Sequence, residues 1–360
     1  MTATERSCSL DMLRGMTVAG MILVNNAGGS SSWAPLRHSA WNGLTPCDLV
    51  FPFFLFIAGV SICLSLRRTG FAHDARTLGR IARRTLLILV IGWALTGLHQ
   101  LCASGSFPSL HNWRLTGVLP RIALCYGTVA LAAVTLPHGW FPAGIAAVLV
   151  LYTFVLLSGN GYACDDSNLL AVADRALLGG GHLYAKSCID PEGILSTLPA
   201  IAHTAIGFCC GRIFVDAGRS QNERLLRLFA TGTLLLAAGW LLAAGLPVNK
   251  RIWSPSFVLV TCGAAALLLA TLSSRIDRNG TPKRRSLLLA YGVNPLLLYI
   301  VAEVLAALAD GSGLRQRIYD GLFRILPDAC AASACYALLF TLLLGALGVW
   351  LRQRKIFVKL

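Results

Sequence analysis

Ten stretches of mostly apolar residues follow one another along the chain, at roughly 10–27, 48–66, 85–101, 117–136, 141–158, 194–213, 226–245, 252–273, 286–308 and 333–351. Short connectors between them hold most of the charge. A helix rising about 1.5 Å per residue needs about 20 apolar residues to cross the hydrocarbon core of a bilayer. The pattern therefore predicts an all-α polytopic membrane protein with about ten transmembrane helices. No internal repeat or low-complexity tract interrupts the runs, so residues 1–360 are expected to form a single transmembrane domain. The opening "MTATERSCSLDMLRG" has no basic segment followed by an uninterrupted apolar core. It is not expected to be cleaved as a signal, and the first apolar run is expected to be kept as a helix.

Composition agrees. The chain is 56% apolar and 13% charged, against about half and about a quarter for soluble domains. The net charge of +15 raises nucleic acid as a partner, but the basic residues sit in connectors. No basic-aromatic or zinc-finger motif accompanies them, so the lipid bilayer is the expected partner. With the N-terminus in the cytoplasm, about two thirds of the Lys and Arg fall on the cytoplasmic side. Both termini are then cytoplasmic. The connector after the first run and the long one at about 159–193 lie on the opposite side. No CxxC pair occurs among the 12 cysteines, and no metal site is expected. Cys164 and Cys188 share the long connector, where a disulfide and two free thiols are equally compatible with the sequence.

Polar residues inside the runs are costly in a bilayer and usually face a cavity. In the first run Arg14 and Asn25 are 11 positions apart, which separates them by only about 20° around a helix and about 16 Å along it. Asp11 precedes Arg14 by one turn on the same face. The stripe reads as a functional lining or as a packing face with an ion pair. Further polar positions are His203, Glu303, Arg121 after Pro120, and Asn294 before Pro295. Structural hydrogen bonds explain His203 and Glu303 well enough. Arg121 requires an anionic partner, either a protein carboxylate or a bound phosphate.

The connector "WAPLRHSAWNGLTPCDLVFPFF" places His38 and Asp48 at the mouth of the second run. Histidine titrates near neutrality and suits proton transfer. Asp48 suits orientation of the imidazole, capping of the helix start, or both.

The collinear segments "SLDMLRGMTVAGMILVNNAGG", "LRHSAWNGLTPCDLVFPFFLFIAGVSI", "GVLPRIALCYG", "ADRALLGGGHLY" with "DPEGILSTLPAIAHTAIGFCCGR", "PVNKRIWSPSFVL" and "YGVNPLLLYI" resemble the heparan-α-glucosaminide N-acetyltransferase family in its bacterial membrane form. The resemblance spans nearly the whole chain. It implies a transmembrane acyltransferase-like fold in the bacterial inner membrane. The implied enzyme is an acetyl-CoA-dependent acetyltransferase, which passes acetyl from cytosolic acetyl-CoA to the amine of glucosamine or an amino-sugar fragment on the periplasmic side. The family's essential histidine falls on His38, its asparagine at the end of the first helix on Asn25, and its aspartate on Asp48. Asn25 is expected to polarise the thioester carbonyl. His38 acts either as general base or as an acetylated intermediate, and direct transfer is favoured. Arg14, Arg84 and Arg284 are candidates for the CoA phosphates, against plain positive-inside topology. Arg121, Trp253, Asn249 and Asn294 are assigned to the pore wall, with Arg121, Trp253 and Asn294 facing the cofactor. Trp41, Asn42, Glu192 and Asn249 are candidates for contacts with the acceptor. A homodimer follows by analogy with animal relatives. An amino-sugar permease and an O-acetyltransferase of envelope polysaccharide are the competing readings.

Overall fold

In a computed structural model, residues 7–106, 109–184, 187, 189–277 and 286–358 are described, and all regular structure among them is helical. The helices are α1 (Cys8–Asn25), α2 (Val50–Arg67), α3 (Ala75–Ser104), α4 (Val118–Thr135), α5 (Phe141–Ser158), α6 (Leu169–Leu178), α7 (Ile194–Phe214), α8 (Gln221–Ala243), α9 (Pro255–Leu272), α10 (Leu287–Val293), α11 (Pro295–Gly311), α12 (Leu314–Ile325) and α13 (Ala329–Gln353). Every one of the ten apolar runs is helical. Among the described residues, eight helices are long and apolar enough to cross a membrane, and α10 with α11 makes a ninth if the bent pair is one span. α1 falls outside that set because Asp11, Arg14 and Asn25 lie within its 18 residues. The fold is thus that of an all-α polytopic membrane protein.

Local chemistry sets the helix ends. Ser7 caps α1 by accepting the Leu10 N–H. Asp74 caps α3 at 2.7 Å from the Thr77 N–H, and Ser220 and Glu223 form a capping box on α8. Asn294–Pro295 breaks the ninth run with a 96° bend, since proline cannot donate to the preceding turn. Two short amphipathic helices, α6 and α12, escape a reading based on apolar runs.

α2, α7 and α9 form the buried middle of the bundle, with α3, α5 and α8 at its periphery. Close helix crossings depend on glycine. A Cβ on Gly59 would lie 2.0 Å from the Thr204 carbonyl oxygen, and one on Gly207 would lie 2.2 Å from that of Phe56. α1 and α10 cross as tightly, with Gly15 against Leu288 and Gly292 against Asp11. Small residues allow the backbone approach that replaces a hydrophobic driving force within lipid.

Contacts between connectors define two ends. At one end, the 26–49 connector meets the 159–168 and 248–254 segments. At the other, the start of α1 meets Asp277, and the break at Asn294 meets the chain after α13.

Candidate functional site

The 26–49 connector closes with a short 3-10 turn, Pro46–Leu49, that feeds directly into α2. Asp48 is its third residue and is fully buried. Its Oδ2 accepts the Ser39 N–H at 3.1 Å, the Thr45 N–H at 3.2 Å and the Thr45 hydroxyl at 3.0 Å. Its Oδ1 lies 2.7 Å from His38 Nδ1 and 3.4 Å from Lys250 Nζ. Capping the turn and orienting the imidazole are therefore done by two oxygens of one carboxylate.

The network selects a tautomer. A carboxylate only accepts and an ammonium only donates. Asp48 therefore calls for a proton on His38 Nδ1, and the Lys250 ammonium, 3.0 Å from that nitrogen, directs its charge to Asp48. Nε2 keeps its lone pair. The His38 side chain is 49% exposed, so the basic nitrogen is accessible while the orienting side is locked. Cys47 Sγ lies 3.1 Å from Nδ1 and 3.6 Å from Nε2.

The neighbouring residues hold this geometry. Trp41 donates its indole N–H to the Tyr162 carbonyl at 2.9 Å and packs among Tyr152, Leu170 and Ile252. Asn42 Oδ1 accepts from Asn249 Nδ2 at 3.0 Å, and Gly43 N–H donates to the Val248 carbonyl at 2.8 Å. The fully buried Asn249 accepts the Arg251 and Ile252 N–H groups with its own oxygen. These bonds fix the turn that carries Lys250. Trp253 ends the turn with φ +53°, a conformation that costs a bulky residue about 1–2 kcal/mol. Its burial against Phe51, Phe257 and Arg121 offsets that cost.

Arg121 is buried beneath Trp253, with its guanidinium 5.1 Å from the ring centroid. Nη2 donates to the Gly193 carbonyl at 3.0 Å and to the Ser196 hydroxyl. Nε and Nη1, like Trp253 Nε1, have no hydrogen-bond partner among the described residues. Around them lies an acidic arc. Arg114 binds Asp190 at 2.9 Å and Glu192 at 2.7 Å. Burial opposes the charge on Asp190, but Arg114 and its donors more than compensate and hold the carboxyl below the usual range. Burial likewise opposes the charge on Arg114, and the two carboxylates raise it above its ordinary value. Asp174, on α6, accepts the Ile194 N–H at 2.8 Å and caps α7 from outside. Burial pushes its carboxyl up to about 6 despite that bond.

Candidates at the other end separate into distinct environments. Arg14 Nη1 donates to Asp11 at 2.8 Å and to the Gly292 carbonyl at 3.3 Å, and Nη2 donates to Ser61 at 2.9 Å. It braces α1, α2 and α10. Arg84 lies over the Tyr126 ring at 4.6 Å, and its Nε has no hydrogen-bond partner among the described residues. With Arg80 and Arg83 it lines a cavity of about 290 Å3 between α2, α3 and α4. These three residues share one face because α3 begins ten residues before its apolar run and carries its basic turn beyond it. Asn294 donates to the Ile356 carbonyl at 2.8 Å and accepts the Val358 N–H at 3.1 Å, tying the chain after α13 to the helix break. Asn25 is the exposed last residue of α1 and makes no hydrogen bond with His38 among the described residues. Arg284 and Cys188 lie outside the described residues, so neither the phosphate role of the first nor the disulfide of the second is addressed. Among the described residues no group of three or more His, Cys, Asp or Glu is placed to hold a metal ion.

The structure thus brings together His38 and Asp48, with Asn42 and Asn249 behind them and Trp253 at the end of the same turn. It adds Lys250, which sequence reasoning passed over. A single lysine in a connector reads as topology, and only its place in "PVNKRIW" marked it.

The sequence profile of the catalytic part of heparan-alpha-glucosaminide N-acetyltransferase matches residues 6–242. His38 and Asp48 lie inside that match and Lys250 outside it. The heparan-alpha-glucosaminide N-acetyltransferase of Mus musculus is 27% identical over 367 residues, covering 84% of this chain and 54% of its own length. That of Homo sapiens is 29% identical over 360 residues, covering 82% and 52%. The chain spans about half the length of the curated relatives it matches.

Proposed function

The chain belongs to the heparan-alpha-glucosaminide N-acetyltransferase family, and we propose that it carries acetyl from cytosolic acetyl-CoA to the amine of glucosamine or a related amino sugar on the far side of a bacterial inner membrane. The observation that carries this reading is the 2.7 Å contact between His38 and the buried Asp48.

In this reading His38 Nε2 takes a proton from the acceptor nitrogen as that nitrogen attacks the acetyl carbonyl. A C–N bond forms, the C–S bond breaks, and His38 returns the proton to the departing CoA sulfur. Asp48 stabilises the imidazolium that exists between these events. Lys250 holds Asp48 ionised and in register. Asn25, at the end of α1, is the candidate donor to the carbonyl oxygen, and Glu192, tied to Arg114, the candidate contact to the acceptor. Arg80, Arg83 and Arg84 fit the CoA phosphates, since the Nε of Arg84 is unsatisfied and no acidic residue lines their cavity. Arg14 is committed to Asp11, Ser61 and Gly292, which favours a bracing role. The unpartnered Arg121 and Trp253 nitrogens fit acceptor oxygens of the donor's buried portion.

The test encloses labelled acetyl-CoA in vesicles containing the purified protein and adds glucosamine outside. Labelled N-acetylglucosamine in the outer medium is expected. Product only when both substrates share a side would overturn transfer across the membrane. Neither product nor acetyl-CoA binding in detergent would favour an amino-sugar permease.

A further inference from the structure

Glu303 sits within an apolar run and is unused by the chemistry above. The structure pairs it with His99, Oε2 to Nε2 at 3.1 Å, across α11 and α3. The pair lies on the wall of a cavity of about 710 Å3, built from the end of α3, the start of α4, α11 and the turn around 180–184. That volume falls within the usual range for small-ligand sites.

The polar groups on its wall are varied and partly unspent. They include His99, Gln100, Asn112, Arg114, Tyr184 and Glu303. Gln100 uses its amide nitrogen on the Asn112 carbonyl at 3.0 Å, while its buried Oε1 has no partner among the described residues. Arg114 is neutralised by Asp190 and Glu192 and lies over the Tyr184 ring at 4.6 Å. The lining offers a carboxylate held by His99 and Tyr299 and still partly exposed, a spare acceptor oxygen, amides and aromatic rings. Such a set suits a polyhydroxylated ligand carrying an ammonium group. A phosphate would meet Glu303 with Arg114 already paired.

His38, Asp48 and Lys250 are not among the lining residues. A sugar seated here is therefore not the one whose amine meets His38. One connector nevertheless makes contacts toward both places. Arg114 lines the cavity and binds Asp190 and Glu192. Three residues before Asp190, the Ser187 hydroxyl accepts from Arg251 at 2.9 Å, and Arg251 follows Lys250 directly.

We propose that this cavity is a subsite for a second amino-sugar unit, with Glu303 receiving its ammonium group and Gln100 one of its hydroxyls, so that the preferred acceptor has at least two linked units. The proposal rests on the acetyltransferase reading for the identity of the acceptor, but its test does not depend on turnover.

Binding of glucosamine and of its β-1,4-linked dimer to the detergent-purified full chain is measured by calorimetry, for wild type, Glu303→Gln and Gln100→Leu. Thermal unfolding checks that each variant is folded. The dimer is expected to bind at least about tenfold more tightly than the monomer. Each substitution is expected to erase most of that advantage, and N-acetylation of both dimer amines is expected to weaken binding to wild type more than to Glu303→Gln. Equal affinity of wild type for monomer and dimer overturns the subsite, as does a dimer advantage that survives both substitutions. If the dimer advantage is present and lost as expected but labelled acetyl-CoA yields no product, the transfer reading fails and the subsite stands.

Discussion

Two histidine–carboxylate pairs stand at the His38 end of this molecule, and they are built differently. In the first, Asp48 is fully buried, and its two oxygens take donors from His38, Ser39, Thr45 and Lys250. In the second, the Glu303 side chain is 21% exposed and His99 meets it at a looser 3.1 Å. A carboxylate with every lone pair engaged cannot move, so it fixes one tautomer and one ring orientation. A carboxylate on a cavity wall keeps capacity for an incoming group. On the proposed reading, proton transfer falls to the first pair and recognition to the second.

The largest expected effect comes from breaking the fixed side of that contrast. Asp48→Asn replaces one acceptor oxygen by a donor beside His38 Nδ1 and favours the wrong tautomer. kcat for acetyl transfer is expected to fall about 10²- to 10⁴-fold, with acetyl-CoA affinity little changed in equilibrium binding. A smaller effect follows from Lys250→Met. Loss of the cation removes the ion pair that helps hold the Asp48 carboxylate against His38. kcat is expected to fall about tenfold, with Lys250→Arg restoring most of it. An unchanged kcat would remove Lys250 from the network. Smaller again is His99→Ala on the adaptable side, whose effect is expected mainly in the acceptor KM, raised about threefold to tenfold by loss of one charge-assisted hydrogen bond. A fall confined to kcat would erase the distinction between the two pairs.

Asp174 belongs to neither pair and reports mainly on burial. Its folded carboxyl titrates at about 6, above the unfolded value near 3.9. The folded state therefore holds the proton more tightly, and this group's contribution to stability falls as pH rises between about 4 and 6. Asp174→Asn keeps an acceptor for the Ile194 N–H and removes the charge. The drop in Tm from pH 5 to pH 7.5 is expected to shrink by a few degrees relative to wild type, corresponding to about 1–1.5 kcal/mol.

The helical architecture was legible in the sequence because apolar length is a strong signal: all ten runs are helices. α6 and α12 were not, since 10- and 12-residue amphipathic helices lie below the length that run-counting detects. His38 and Asp48 were legible from their residue types beside a span and from the family resemblance. Their partner Lys250 was not, because the contact joins residues 212 positions apart and connector lysines are common. The sequence points to Trp41, Asn42 and Asn249 as contacts to the acceptor. In the structure the Trp41 indole N–H, Asn42 Oδ1 and both ends of the Asn249 amide hold connectors together, and composition carries no signal for such bonds. Glu303 was read as a structural hydrogen bond. Its cavity depends on α3, α4 and α11 converging, which no local pattern reveals.

The central claim is that His38 supplies the base. Purified wild type and His38→Ala are given labelled acetyl-CoA and glucosamine at saturating concentrations, with acetyl-CoA binding measured in parallel. The account predicts labelled N-acetylglucosamine from wild type, a rate at least about 10²-fold lower from His38→Ala, equal acetyl-CoA binding by the two, and no label on the wild-type protein without acceptor. A His38→Ala enzyme as fast as wild type would contradict it.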